Sequence, residues 1–118
     1  MSNKKIYSFE EIKEIINGQK NYLEEKYYAD EFWLFGSYAK NMQTPDSDID
    51  LLVNFKKPID MFAFIDLQEY LSKIFNKKVD IGTPNSLKSF IKQHILNEAI
   101  ALWKIKTHYF FYKIYKIH

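Results

Sequence analysis

Two aspartates one residue apart carry the most specific chemistry in the sequence. Residues 49–55 (IDLLVNF) form an apolar run with the composition of a buried strand. Asp48 immediately precedes this run, and Asp50 is its second residue. Side chains alternate between the two faces of a strand, so both carboxylates point the same way. Carboxylates that close repel each other, and a divalent cation such as Mg²⁺ relieves the repulsion while it also holds phosphate oxygens. The pair therefore predicts a metal site that binds a phosphate group.

A Gly-Ser pair lies upstream of the aspartates and suits the same ligand. Gly36 has no Cβ, so a phosphate can approach the backbone closely at this position. The hydroxyl of Ser37 and nearby backbone N–H groups can donate hydrogen bonds to phosphate oxygens, more so if a helix begins there. The sequence thus predicts a phosphate-binding turn next to the metal site.

A third carboxylate, Asp80, completes the candidate site. It stands alone in the apolar segment 79–81 (VDI), where an unpaired charge is costly. As a third ligand it would complete a two-metal site, and it could also act as general base on an attacking hydroxyl. The alternative is a surface strand residue paired with a lysine such as Lys78. Asp46, which follows Pro45 in a loop, is interpreted as a turn residue.

Hydrophobic periodicity predicts the elements that position these residues. The predicted elements, in chain order, are a helix over 9–27, strands over 31–36 and 49–55, a helix over 61–75, a strand over 77–82, a helix from Asn85 or Ser86, and a short strand over 100–105. This order predicts an α/β (α+β) fold, with a small mixed β-sheet flanked by helices.

Local patterns sharpen the prediction for two of the helices. Ser8 and Glu11 have the spacing of a capping box, and Asp60 suits the N-cap of the helix over 61–75. The face of that helix expected to be buried consists of apolar residues near helical spacing: Phe62, Ile65, Tyr70, Leu71 and Ile74.

Composition excludes several classes of protein. There is no cysteine, so disulfides, thiolate metal sites and cysteine nucleophiles are ruled out. All 17 basic residues are lysines and the net charge is only +2, which argues against sequence-specific DNA binding. The sequence has no G-x-x-x-x-G-K-[ST] phosphate loop, and its three histidines lack the spacing of zinc ligands.

The chain also lacks the sequence features of a membrane protein. No apolar run approaches the roughly 20 residues that span a bilayer, and the N-terminus has no apolar signal core. We therefore expect a cytoplasmic protein with no membrane partner. The length of 118 residues suits one domain, which we place at residues 1–105. Residues 106–118 form an aromatic and basic tail, expected to be an edge strand or an ordered extension, or else a surface that contacts a partner.

Two motifs together resemble those of a known enzyme superfamily. Residues 36–40 (GSYAK) and 47–53 (SDIDLLV) are similar to the signature of the DNA polymerase β-type nucleotidyltransferases. More closely, they resemble the minimal nucleotidyltransferase (MNT) antitoxins that accompany HEPN ribonuclease toxins. The resemblance covers about residues 8–105 and extends to a third-strand aspartate in the expected order.

The resemblance implies a reaction and roles for individual residues. The family moves a nucleoside monophosphate from a nucleoside triphosphate to a hydroxyl and releases pyrophosphate. Gly36 and Ser37 would hold the triphosphate, with Lys40 and Ser47 contributing to nucleotide binding. The three carboxylates, Asp48, Asp50 and Asp80, would be the metal ligands and catalytic residues. In MNT antitoxins the donor is ATP, the metal is Mg²⁺, and the acceptor is a tyrosine hydroxyl of the partner HEPN toxin, which adenylylation silences.

Two other functions remain open at the level of the sequence. One is a small-molecule nucleotidyltransferase, although such relatives commonly need an added domain to form the acceptor pocket. The other is an antitoxin that neutralises its partner by binding alone.

One departure from the family pattern concerns the turn. Where the family commonly has Arg-Gly, this chain has Lys40-Asn41. Asparagine tolerates a left-handed backbone better than other non-glycine residues, so the turn is expected to form. Lysine keeps the positive charge but not the planar fork of arginine, which affects the affinity for nucleotide more than the mechanism.

Overall fold

The computed structural model describes residues 5–84 and 99–104, which form a four-stranded mixed sheet with three helices. The elements are α1 (Phe9–Gly18), α2 (Lys20–Tyr27), β1 (Ala29–Phe35), β2 (Ile49–Phe55), α3 (Met61–Phe75), β3 (Val79–Gly82) and β4 (Ile100–Lys104). The predicted α/β (α+β) class with a small mixed sheet is confirmed. The predicted helix from Asn85 or Ser86 and the tail 106–118 lie outside the described residues.

The sheet places the four strands in the order β3-β2-β1-β4. β1 pairs antiparallel with both β2 and β4, whereas β2 and β3 are parallel. α3 makes the crossover that a parallel β2–β3 pair requires. Strand β2 begins and ends as predicted, β1 begins two residues earlier than predicted, and β3 begins two residues later.

The single helix predicted over 9–27 is wrong, because the chain forms two helices there. α1 starts with the predicted capping box, in which the Glu11 N–H donates to Ser8 Oγ and the Ser8 N–H donates to Glu11 Oε1. It ends at Gly18, which has a low helix propensity, and Gln19 leaves the helical region with φ −104° and ψ 9°. The Gln19 side chain accepts a hydrogen bond from the Tyr70 hydroxyl, which ties this break to α3.

α3 has the predicted bounds, but its predicted buried face is partly wrong. Asp60 caps the helix by accepting a hydrogen bond from the Ala63 N–H at 2.8 Å, as expected. The stripe that packs on the sheet is Leu67, Leu71 and Phe75, all fully buried. At 100° per residue, Phe62 and Ile65 point well away from that stripe, and their exposures are 85% and 46%.

The core lies between the helices and one face of the sheet. From β2 it includes Ile49, Leu51 and Val53, which pack with residues of all three helices. Asp50 alternates with these residues, so its carboxylate is on the opposite face of the sheet. The candidate site therefore lies on the sheet face away from the three helices, at one end of it, since Leu52 and Trp33 further along the same face are themselves buried.

The described residues also bear on membrane association. No helix within residues 5–84 has the length and apolar character needed to cross a bilayer.

Candidate active site

Asp50 and Asp80 are brought together by the parallel pairing of β2 and β3. The register matches Asp50 with Asp80, one step after Ile49 with Val79. Register partners on neighbouring strands present their side chains on the same face, so the two carboxylates are neighbours. Both are partly exposed, whereas Ile49 and Val79 are fully buried in the core. The sequence predicted both aspartates, and the sheet supplies their proximity.

Asp48 lies at the mouth of β2, immediately before the strand begins. The Ile49 N–H donates to the carbonyl oxygen of Lys78 at 3.0 Å, which holds the start of β2 against the start of β3. The Lys78 ammonium lies 3.7 Å from Asp48 Oδ2 and 3.9 Å from Asp80 Oδ1. One lysine thus faces two of the three carboxylates.

Electrostatics within this cluster act most strongly on Asp50. Burial, the largest cause, together with the negative charges of Asp80 and Asp48 raises the pKa of Asp50 to about 6, while Lys78 opposes them. The three carboxylates are therefore close enough to repel one another in the metal-free protein. This is the situation in which a divalent cation is bound favourably.

Gly36 packs directly against the Asp50 side chain. Phe35 is the register partner of Asp50, so the residue that follows β1 turns across the carboxylate. Gly36 has φ +75°, and a Cβ added there would lie 3.2 Å from Asp50 Cγ and still closer to Asp50 Oδ2. A side chain at this position would both strain the backbone and displace the carboxylate. Glycine is thus required here by its contact with Asp50, whereas the close approach of a phosphate to this backbone stays a prediction.

A compact turn over residues 36–41 follows β1. The N–H groups of Ala39 and Lys40 both donate to the Gly36 carbonyl oxygen, at 3.1 and 3.2 Å. Asn41 has φ +58°, its N–H donates to the Tyr38 carbonyl oxygen, and the Met42 N–H donates to the Ser37 carbonyl oxygen at 2.9 Å. This pairing is a Schellman closure with asparagine at the left-handed position. The expectation that Asn41 would serve in place of glycine is confirmed.

A second turn, over residues 44–47, positions Asp48. The Thr44 N–H donates to Ser47 Oγ at 2.8 Å, and the Ser47 N–H donates back to the Thr44 carbonyl oxygen at 3.0 Å. Lys77 Nζ donates to the Pro45 carbonyl oxygen at 2.8 Å, which ties this turn to the segment before β3. Ser47, predicted to contact nucleotide, therefore also has a structural part in holding the turn.

The structure groups the predicted residues unequally. It clusters Gly36, Asp50, Asp48 and Asp80, and it places Ser37 and exposed Lys40 on the turn that follows Gly36. The contact of Lys78 with Asp48 was not predicted. The sequence spacing of Lys78 and Asp80 could predict only the contact between those two residues. The contact of Lys78 with Asp48 depends on the pairing of the first residues of β2 with those of β3, which the spacing does not reveal.

Comparison with known proteins decides the family. The nucleotidyltransferase domain family matches residues 16–102, a span that contains every residue of the site just described. The chain belongs to the nucleotidyltransferase domain family. This match confirms the nucleotidyltransferase family predicted from the sequence motifs, and the fold is that of a minimal nucleotidyltransferase.

Relatives of this nucleotidyltransferase include named enzymes and solved complexes. Protein adenylyltransferase MntA of Thermococcus cleftensis is 37% identical over 93 residues, which cover 79% of this chain and 94% of the relative. A toxin–antitoxin crystal structure with AMP-PNP shares the fold with a TM-score of 0.69 at 24% identity, covering 86% of this chain and 82% of that chain. A tri-AMPylated Shewanella oneidensis HEPN toxin in complex with MNT antitoxin matches with a TM-score of 0.63 at 21% identity, covering 87% and 81%.

The donor groups of this nucleotidyltransferase fit Mg²⁺ with phosphate better than Mg²⁺ alone. Among the residues that the structure describes, no group of three or more His, Cys, Asp or Glu side chains is placed to hold a metal ion by itself. Mg²⁺ in phosphoryl-transfer sites uses one or two carboxylates, with substrate phosphates and water as the remaining ligands. Asp48 and Asp50 supply such oxygens at partly exposed positions. The negative charges of Asp48 and Asp80 raise the pKa of Asp50, and a bound cation would relieve this repulsion.

Proposed function

We propose that this nucleotidyltransferase moves AMP from ATP to a hydroxyl of a partner HEPN toxin, most simply a tyrosine, and thereby acts as its antitoxin. The observation that carries the proposal is the pairing of the partly exposed Asp50 and Asp80 on neighbouring strands, beside a glycine turn that follows β1. Because the reaction consumes ATP, we infer that it takes place in the cytoplasm.

The proposed roles of the residues follow from their chemistry. Gly36 and Ser37 would bind the triphosphate, through backbone N–H groups and the Ser37 hydroxyl as donors. Lys40 and Ser47 would add a positive charge and a second hydroxyl at the edge of this site.

The carboxylates would perform the metal and proton chemistry. Asp48 and Asp50 would hold Mg²⁺, which supplies charge neutralisation for the phosphates. Asp80 would complete the ligand set and accept the proton of the acceptor hydroxyl. The acceptor oxygen forms a bond to the α-phosphorus of ATP, the bond from that phosphorus to the bridging oxygen breaks, and pyrophosphate leaves with the electron pair.

The exposure of two of the carboxylates supports a macromolecular acceptor. The side chains of Asp48 and Asp80 are 40% and 43% exposed, whereas Asp50 is half-buried. A hydroxyl carried on another protein can reach groups exposed to this degree. The relative named as a protein adenylyltransferase and the AMPylated HEPN toxin found with an MNT antitoxin of the same fold support the choice of acceptor and partner.

The test is direct transfer of labelled AMP. The protein is incubated with α-labelled ATP, Mg²⁺ and the HEPN product of a neighbouring gene, and the HEPN product is then analysed by intact mass spectrometry and peptide mapping. We expect a mass gain of one or more AMP units, located on tyrosine, and loss of HEPN ribonuclease activity.

A matched pair of variants separates catalysis from binding. Asp48→Asn removes a proposed metal ligand, whereas Asp46→Asn removes the same charge two residues away in the exposed turn. Transfer should be lost in the first variant and retained in the second. A ribonuclease silenced equally by wild type and Asp48→Asn, with no mass gain in either, would show that neutralisation depends on binding alone.

A further inference from the structure

Lys78 occupies an unusual position among the carboxylates. Its ammonium nitrogen lies within 4 Å of an oxygen on Asp48 and an oxygen on Asp80, at 3.7 and 3.9 Å. The two aspartates come from different segments, one before β2 and one within β3. The lysine side chain is itself 67% exposed, so packing against the described residues does little to hold the ammonium in this place. Its position is set by the charge of the two carboxylates.

A single positive charge among three negative charges resembles the arrangement that a divalent cation would adopt. The ammonium neutralises part of the repulsion between Asp48 and Asp80, and it approaches both from one point. Lysine is a flexible point charge on a long stem, so it can leave this position at little cost. Exposed ion pairs of this kind are weak and readily replaced. A divalent cation held by Asp48 and Asp50 would share Asp48 with the ammonium, carry twice its charge and so displace it.

We propose that Lys78 is a resident counter-ion, which holds the carboxylates together in the metal-free protein and competes with the divalent cation for them. This proposal rests on the metal role of the carboxylates in the proposed function. Lys78 would lower the affinity of the site for metal without being a ligand. A higher Mg²⁺ concentration would therefore be needed to load the site. In the loaded protein the lysine is free to turn towards solvent or phosphate.

The proposal is tested by metal binding to the full chain without nucleotide. Mn²⁺ is the probe because it prefers the same oxygen ligands as Mg²⁺, and unbound Mn²⁺ is measured directly by electron paramagnetic resonance. Removing a positive charge a few ångströms from a surface cation should lower the Mn²⁺ dissociation constant of Lys78→Gln by roughly three- to tenfold. Metal-free Lys78→Gln should also melt at a lower temperature than wild type, and added Mg²⁺ should remove that difference.

Two controls separate the position of Lys78 from general charge effects. Lys56→Gln makes the same change in net charge at the other end of β2, where Lys56 pairs with Glu24 at 3.6 Å. Lys78→Arg keeps the charge in place. Both variants should bind Mn²⁺ no more tightly than wild type.

The outcomes distinguish this proposal from the proposed function. Wild-type Mn²⁺ affinity in Lys78→Gln, together with weakened binding in Asp50→Asn, would overturn the role of Lys78 and leave the metal role of the carboxylates standing. Absence of Mn²⁺ binding in both wild type and Lys78→Gln would overturn the role of Lys78 and leave the proposed function standing, since the donor groups fit the cation together with phosphate. Equal tightening in Lys78→Gln and Lys56→Gln would show a net-charge effect and would also reject the proposal.

Discussion

Asp50 and Asp80 are register partners on parallel strands, and their like charges lie side by side on the sheet face away from the three helices. The pKa of Asp50 is raised to about 6 by burial and then by its two acidic neighbours. The metal-free site is therefore a source of instability that a bound cation would relieve. This relationship leads to a pH-dependent prediction.

Metal-free protein should lose stability as the pH rises from about 4 to about 6. In this window the folded state still holds the Asp50 proton that the unfolded chain, with an ordinary aspartate pKa near 3.9, has released. Asp50→Asn should remove this dependence and raise the stability at pH 7.5 by on the order of 1 kcal/mol, after allowance for solvent screening. The measurement is Tm against pH in the presence of a chelator. A wild-type Tm that does not fall between pH 4 and pH 6 would reject the raised pKa of Asp50 as the source of the instability.

The same Asp50→Asn variant should be inactive in AMP transfer while remaining folded. Asparagine keeps the size of the side chain but removes the negative charge that the proposed metal needs. Circular dichroism should show unchanged secondary structure in the variant that fails to label the HEPN product. Full labelling by Asp50→Asn would remove this carboxylate from the mechanism.

Gly36→Ala should damage the site through its contact with Asp50. The new Cβ would press on the Asp50 carboxylate, and the backbone is held at φ +75°, where alanine costs about 1–2 kcal/mol. A carboxylate misplaced by about 1 Å lowers the transfer rate by on the order of 100-fold. The rate is measured with labelled ATP at saturating partner, and stability by urea denaturation.

Gly18→Ala is the matched control for the Gly36 variant. Gly18 ends α1, and a Cβ added there would meet no atom within 4 Å. We expect unchanged transfer and a gain of about 0.5–1 kcal/mol in stability, since alanine favours helix. A comparable loss of activity in both variants would point to general instability rather than to the Asp50 contact.

Substitutions of Asn41 should follow backbone strain. The residue closes the 36–41 turn at φ +58°, so Asn41→Gly should leave stability nearly unchanged. Asn41→Val places a β-branched side chain in the left-handed region and should cost about 1–2 kcal/mol or more. Chemical denaturation of the two variants measures both effects. Equal stability of the glycine and valine variants would contradict the strained turn.

Tyr27→Phe should weaken the link between α2 and α3. The Tyr27 hydroxyl donates to Asp66 Oδ2, and this bond lowers the pKa of Asp66. A lowered aspartate pKa contributes stability that is present near neutral pH and lost as the pH falls through the folded-state value. The Tm of the variant should therefore lie below that of wild type at pH 7, and the difference should shrink in acid. Tyr28→Phe, at the exposed neighbouring tyrosine, should show neither effect.

The sequence alone predicted the parts of the site that depend on local rules. Strand alternation predicted that Asp48 and Asp50 share a face. The expectation that a phosphate approaches the backbone closely drew attention to Gly36. Capping patterns located the starts of α1 and α3, since a cap depends on neighbours three residues away. The motifs also identified the nucleotidyltransferase family, which comparison with known proteins confirmed.

Tertiary packing decided what local rules cannot specify. The register of β2 and β3 set Asp50 beside Asp80 and brought Lys78 to both Asp48 and Asp80, because strand partners are chosen by the whole sheet. Both faces of α3 are apolar enough to be buried. Packing on the core determines that the stripe of Leu67, Leu71 and Phe75 is buried and that Phe62 is exposed. The hydrogen bond between Gln19, at the break after Gly18, and Tyr70 is likewise a tertiary contact, because it joins residues 51 positions apart. Residue spacing determined which groups could do chemistry, and long-range pairing determined which of them meet.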